Sequence, residues 1–258
     1  MTDSTNVEFE TTRDFESIIR CLTINPEGIG FLSKDKAYIE LVNSFFPYLQ
    51  PAKKRPDAYS IQGDSVLILE HFEFDNSKTT RKGSEQNRIE AKTQRVLDSK
   101  SDFLSPAMIQ ERVEKTGAYY IQNLERVFSS HASSIEDYKK EINFETGRSF
   151  NNYIVGFVIE DASSFGSEYY DWGENVRTQA SILYAKEFLD LFDRTPQLDF
   201  VIFSFTKSSY QNNDIFFISH NTIKDYRKKE IEVSKIPHFL FEDSLCMTVP
   251  ILLPIKKK

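Results

Sequence analysis

The sequence predicts a mixed α/β protein with a central mixed sheet flanked by helices. Three observations carry this. The runs SVLILEHFEFD (65–75) and NYIVGFVIE (152–160) are too apolar to face water on either side, so each reads as an interior strand. Gly63-Asp64 joins two extended runs, and Gly-Asp suits a tight hairpin turn with positive φ. Segments with apolar residues every three or four positions precede, separate and follow the strands, as in a sheet covered by helices.

In chain order, residues 1–14 are polar and read as a frayed start, and 15–24 and 34–49 read as helices. In the second helix Ser33 is the expected cap, and Ile39, Val42, Phe45 and Phe46 share one side. Pro47 and Pro51 bound it, and 53–56 form an exposed link. Strands follow at 57–62 and 65–75. From 76 to 102 the chain turns polar and basic, with Lys78, Arg81, Lys82, Arg88, Lys92 and Arg95, and 84–97 reads as helix. A helix opened by Pro106 covers 106–129, and a shorter one covers 134–142. After the strand at 152–160, residues 174–193 read as an amphipathic helix through Val176, Ile182, Leu183, Phe188, Leu189 and Phe192. Strands at 198–206 and 214–219 flank the turn-rich KSSYQNN, a hairpin loop by composition, and a β-like segment lies near 246–253. There is no internal repeat. The expectation is one α/β domain over 1–258, with 103–145 as a helical insertion within it.

The 22 Phe and 12 Tyr are ample core material, and nine Gly and nine Pro are too few for long linkers. The net charge of −7 argues against binding nucleic acid through general electrostatics. It leaves a nuclease open, because metal ions offset clustered carboxylates. Cys21 and Cys246 have no partners at metal-site spacing and read as buried free thiols, in keeping with a reducing cytoplasm. MTDSTNVEFE lacks a basic region followed by an apolar run, and no apolar stretch approaches the ~20 residues that span a bilayer. The expected location is cytoplasmic, with no membrane partner. No GxSxG, P-loop or GxGxxG is present, so serine-hydrolase and nucleotide-cofactor chemistry have no support.

The stretch RPDAYSIQGDSVLILEHFEFD carries the strongest chemical signal. Asp57 opens one strand and Glu70 lies late in the next, with twelve residues including the turn between them. Adjacent strands sit about 4.8 Å apart, so two carboxylates on one face can share a divalent ion. Glu70 follows VLIL, where a buried carboxylate needs a positive or hydrogen-bonding partner. The plain alternative is that Asp57 caps a turn and Glu70 pairs with a nearby Arg or Lys.

A Pro-Asp, a hairpin and an apolar strand ending in an acid resemble the core of the PD-(D/E)xK nuclease superfamily. The helix before and the helices after fit that family's α-β-β-β-α-β order over roughly 34–97, and more loosely at 152–160. The resemblance implies a restriction-endonuclease-like core in which Asp57 and Glu70 bind Mg²⁺ and the substrate is DNA. It implies Glu40 as an auxiliary acid and the backbone carbonyl of His71 as a metal ligand. The motif Lys falls at residue 72, which is Phe. Lys82, Gln86 and Lys92 are the candidates to replace it. His71 itself alternates to the face opposite Glu70. The reading from a different class is a catalytically inactive nuclease fold that serves as an interaction or regulatory module, with a protein partner or a second copy of the chain.

Other patterns are weaker. His71, Glu73 and Asp75 share one face by period two and read as the solvent-facing side of a strand leaving the core. Glu160 and Asp161 end a strand, where acids line active sites in α/β folds or close turns. Tyr169, Tyr170 and Trp172 sit among Glu168, Asp171 and Glu174, which suits a packed loop or a protein contact better than a nucleic-acid site. The basic segment 78–95 also holds Glu85 and Glu90 and reads as a solvated helix with internal ion pairs. His131, His220 and His238 are scattered, with no metal-ligand spacing.

Overall fold

The computed structural model describes residues 4–23, 35–80, 83–85, 88–89, 91–92, 95, 115–163, 168–171, 176–179, 182–204 and 215–235. Helix α1 (Ser4–Thr23) comes first and buries Ile18, Cys21 and Leu22, residues three or four apart on one stripe. Helix α2 (Lys36–Phe45) starts at Asp35, whose carboxylate accepts the Tyr38 N–H at 3.3 Å, and buries Ile39, Val42 and Phe45. The expected cap Ser33 lies outside the described residues. A 3₁₀ turn, Phe46–Tyr48, closes the helix around Pro47 and leads into a short strand, β1 (Gln50–Pro51).

Strands β2 (Ala58–Gln62) and β3 (Ser65–Phe74) form the expected hairpin, with Gln62 opposite Ser65 and Gly63 at φ 60°. A two-residue turn needs such a backbone, and Gly adopts it without steric cost. Small strands β4 (Thr79–Thr80) and β5 (Gly83–Ser84) follow, and the described residues between 85 and 95 are helical. Helices α3 (Gly117–Ala132) and α4 (Ile135–Thr146) carry the chain back to β6 (Asn152–Asp161). Thr116 caps α3 by accepting the Tyr119 N–H at 3.1 Å, and Gly147 ends α4 at φ 68°. Within 103–145, then, the described part forms two helices of the connection between adjacent strands.

Strand β6 runs parallel to β3, so a crossover of this length is required. The chain continues through β7 (Glu168–Asp171) and β8 (Val176–Gln179), which pair with each other, to helix α5 (Lys186–Asp193). This corrects the single helix expected over 174–193. Val176 to Gln179 are extended, Ile182–Tyr184 form a 3₁₀ turn, and the α-helix starts only at Lys186. The local pairing of β7 with β8 outweighs the helical spacing of the apolar residues. Strand β9 (Phe200–Ser204) lies parallel to β6, β10 (Ile215–Ser219) is antiparallel to β9, and a short helix α6 (Ile223–Arg227) follows. The hairpin loop expected at 207–213 and the β-like segment near 246–253 lie outside the described residues.

The main sheet is six-stranded, in the order β1-β2-β3-β6-β9-β10, and the protein is α/β with helices on both faces. One face of β3, through Val66, Ile68, Phe72 and Phe74, packs on Tyr120, Leu124 and Phe128 of α3 and on Ile135, Tyr138 and Ile142 of α4. The other face, through Leu67 and Leu69, packs on Ile18 and Cys21 of α1 and on Ile39 and Val42 of α2. Glu70 belongs to the first face and His71 to the second. Among the described residues no helix is long and apolar enough to cross a membrane.

Candidate functional site

The register of β2 and β3 sets Ala58 against Leu69, and one step further brings Asp57 to Glu70. The Asp57 N–H donates to Glu70 Oε2 at 3.2 Å, and Asp57 Oδ2 accepts the His71 N–H at 2.7 Å. Both side chains are buried. Burial pushes the Asp57 carboxyl above the usual carboxylate range, and the negative charges of Glu70 and Asp14 push it further. The two acids singled out in the sequence therefore meet.

On the helical face, Glu70 Oε1 accepts the Tyr138 hydroxyl at 2.9 Å and lies 2.9 Å from His131 Nδ1. Burial, with Glu70 next to it, pushes the Tyr138 phenol up, so it acts as a donor. The Phe72 ring stacks on His131 with centroids 4.6 Å apart and planes 9° apart. The residue at the motif's Lys position is thus part of the core. Its aromatic contacts with Phe128 and Phe157 hold it there.

On the opposite face, His71 Nε2 is 3.3 Å from Glu160 Oε2, and Nδ1 is 3.4 Å from Asp14 Oδ1 in an ion contact without hydrogen-bond alignment. Arg20 Nη2 reaches both Glu160 oxygens at 3.0 Å. Burial alone would lower the His71 pKa, but hydrogen bonding and charge from Asp14 and Glu160 outweigh it and raise it to about 9. His71 is therefore an imidazolium that fastens α1 to β3 and β6.

A third cluster closes the ends of β3 and β6. Asp161 accepts the Tyr120 hydroxyl and the Ser163 N–H, both at 2.7 Å, yet burial raises its pKa to about 7. Asp75 accepts the Ser77 N–H and hydroxyl at 2.8 and 2.6 Å. Asn123 Nδ2 donates to the Asp75 and Ser77 carbonyls at 2.8 Å.

The row His71, Glu73, Asp75 was expected to face solvent, and the structure corrects this. Glu73 is exposed, but His71 and Asp75 are buried, one beneath α1 and the other beside α3. Glu40 is exposed on α2, and the helical acid that acts on Asp57 is Asp14 of α1. Lys92 is exposed, and Lys82 and Gln86 lie outside the described residues. Cys21 is a buried free thiol, as expected, and Cys246 is outside the described residues. Tyr169 and Tyr170 lie on β7, while Trp172 is outside the described residues.

Sequence reasoning passed over Asp14, Arg20, His131 and Tyr138. One signal was available for His131. It continues the spacing of Tyr120, Leu124 and Phe128 and so lies on the buried stripe of its helix.

Among the described residues no three His, Cys, Asp or Glu side chains converge on a point where a cation could sit. Mg²⁺ needs only one or two protein carboxylates and keeps water or substrate oxygens as its other ligands. The Asp57–Glu70 pair supplies that donor chemistry, and a cation would relieve the repulsion that raises Asp57. No family model, no curated protein and no solved structure matches the chain.

Proposed function

We propose that the chain is a nuclease-like protein that hydrolyses DNA phosphodiesters with Mg²⁺ held by Asp57 and Glu70. The observation that carries this reading is the buried acid pair, in which burial and the neighbouring acid raise Asp57. The element order also supports it. One helix, three antiparallel strands and a helical crossover to a strand parallel to β3 follow the sequence of elements that the PD-(D/E)xK resemblance implies. When bound, Mg²⁺ would lower the pKa of a water and offset charge developing on the phosphate. The His71 N–H and the Tyr138 hydroxyl hold the two carboxylates in position. The basic stretch with Lys82 and Lys92 is suited to the DNA backbone, because a chain of net charge −7 has no general attraction for it. A cytoplasmic location goes with this reading.

The test is Mn²⁺ calorimetry and Mg²⁺-dependent cleavage of single- and double-stranded DNA, for the wild type and for Asp57→Asn with Glu70→Gln. Binding and cleavage by the wild type, both lost in the double variant, are the expected result. Wild-type protein that is folded but binds no Mn²⁺ and cuts neither substrate overturns the reading.

A second reading is favoured by Phe72, a core aromatic where the motif has an amine. On it, the same fold acts without catalysis as an interaction or regulatory module. It predicts the same melting temperature with and without Mn²⁺, and a shift of that temperature would count against it.

A further inference from the structure

The site lacks the amine that would handle the attacking water, yet a second nitrogen base stands against the same acid. His131 comes from α3, and its Nδ1 lies 2.9 Å from Glu70 Oε1 and 3.1 Å from the Tyr138 oxygen. Phe72 covers one face of the imidazole at 4.6 Å, and Phe157 meets it edge-on at 6.3 Å. The ring plane is therefore set by packing and its rotation by the carboxylate. A carboxylate accepts and cannot donate, so the hydrogen bond to Glu70 requires the proton on Nδ1. That leaves Nε2 with its lone pair. Nε2 has no hydrogen-bond partner among the described residues, and 15% of the side chain is open to solvent. A carboxylate that holds one imidazole nitrogen so that the other can take a proton is the logic of nucleophile activation in many hydrolases.

We infer that Glu70 and His131 form an oriented carboxylate–imidazole dyad, and that Nε2 of His131 accepts the proton of the water that attacks a DNA phosphodiester. This rests on the nuclease reading and assigns the role for which residue 72 carries no amine. The water oxygen forms the new P–O bond and its proton passes to Nε2. The ester P–O bond breaks, and its electron pair leaves with the alkoxide, which takes a proton from solvent. His131 is the catalytic residue of this step. Glu70, through Oε1, and Phe72 are positioning residues. The two oxygens of Glu70 have separate tasks, because Oε2 accepts from the Asp57 backbone.

The experiment uses the full-length chain. Nitrogen-15 NMR of the metal-free wild type should show His131 protonated at Nδ1 and bare at Nε2, and the opposite tautomer overturns the dyad. His131→Asn keeps a donor near the Nδ1 position and removes Nε2. It should bind Mn²⁺ as the wild type does while DNA cleavage falls about 100-fold or more at unchanged KM. His131→Ala should regain part of its activity with added imidazole. If the wild type cleaves and His131→Asn cleaves equally well, the His131 inference fails and the nuclease reading stands. If folded wild type neither binds Mn²⁺ nor cleaves, both fail.

Discussion

Phe72 is the residue at which motif and core compete. It is 5% exposed and packs on His131, Phe128 and Phe157. Putting the motif amine back should therefore damage the protein instead of repairing it. Phe72→Lys removes a large buried ring and buries an ammonium next to apolar neighbours. Loss of the ring alone costs about 3–5 kcal/mol in buried positions, and desolvating the charge adds to that. The denaturation midpoint of Phe72→Lys should drop sharply, and a midpoint within error of the wild type would show that the ring is not part of the packed core. The same reasoning explains why Glu70 tolerates its place in an apolar strand. Tyr138 and His131 meet one oxygen and a backbone N–H meets the other.

At the level of elements, β6 is the strand on which both neighbours depend, because it pairs in parallel with β3 and with β9. Gly156 lies opposite Phe200 in the second of these ladders. A Cβ at residue 156 would sit 2.2 Å from the Phe200 Cζ and 2.4 Å from Cε2, inside the ring's own space. The glycine is thus required by the aromatic neighbour and not by any unusual backbone. Gly156→Ala should destabilise by about 1–3 kcal/mol through forced repacking. In a Phe200→Leu background the cost should shrink, since the two residues share one space. Chemical denaturation of the four proteins of this cycle checks it, and equal costs in both backgrounds would refute the contact. Helix α1 is tied to the same strand by charge as well as packing, through Arg20 to Glu160 and Asp14 to His71.

For the whole molecule the buried titrating groups act in one direction. Asp161 is raised from 3.8 to about 7 and Asp57 is raised as well, so above pH 4 the folded state binds more protons than the unfolded chain does. Stability falls with rising pH over that window. His71 is raised from 6.5 to about 9, so its contribution is complete below 6.5 and lost as pH rises through 9. Asp14 is lowered from 3.8, since the imidazolium of His71 outweighs its own burial, and its contribution is lost only below pH 4. The melting temperature should therefore peak in mildly acid solution and decline steadily toward pH 9. A melting temperature that climbs between pH 5 and pH 9 would contradict these assignments.

Local chemistry along the chain is enough to read the interior strands, the Gly63-Asp64 hairpin and the opposite orientations of Glu70 and His71. Each follows from period, turn residues or alternation over a few positions. Asp57 and Glu70 could be paired for the same reason, because a two-residue turn makes their register a local matter. The partners of these acids could not. His131 and Tyr138 reach Glu70 across 61 and 68 residues, and Glu160 reaches Arg20 across 140. Such contacts depend on how α1, α3 and α4 dock on the two faces of the sheet, which apolar area and packing decide and no local spacing encodes. The same docking buries His71 and Asp75, which alternation alone would leave facing water, and turns Phe72 from a missing catalytic residue into the platform beneath His131.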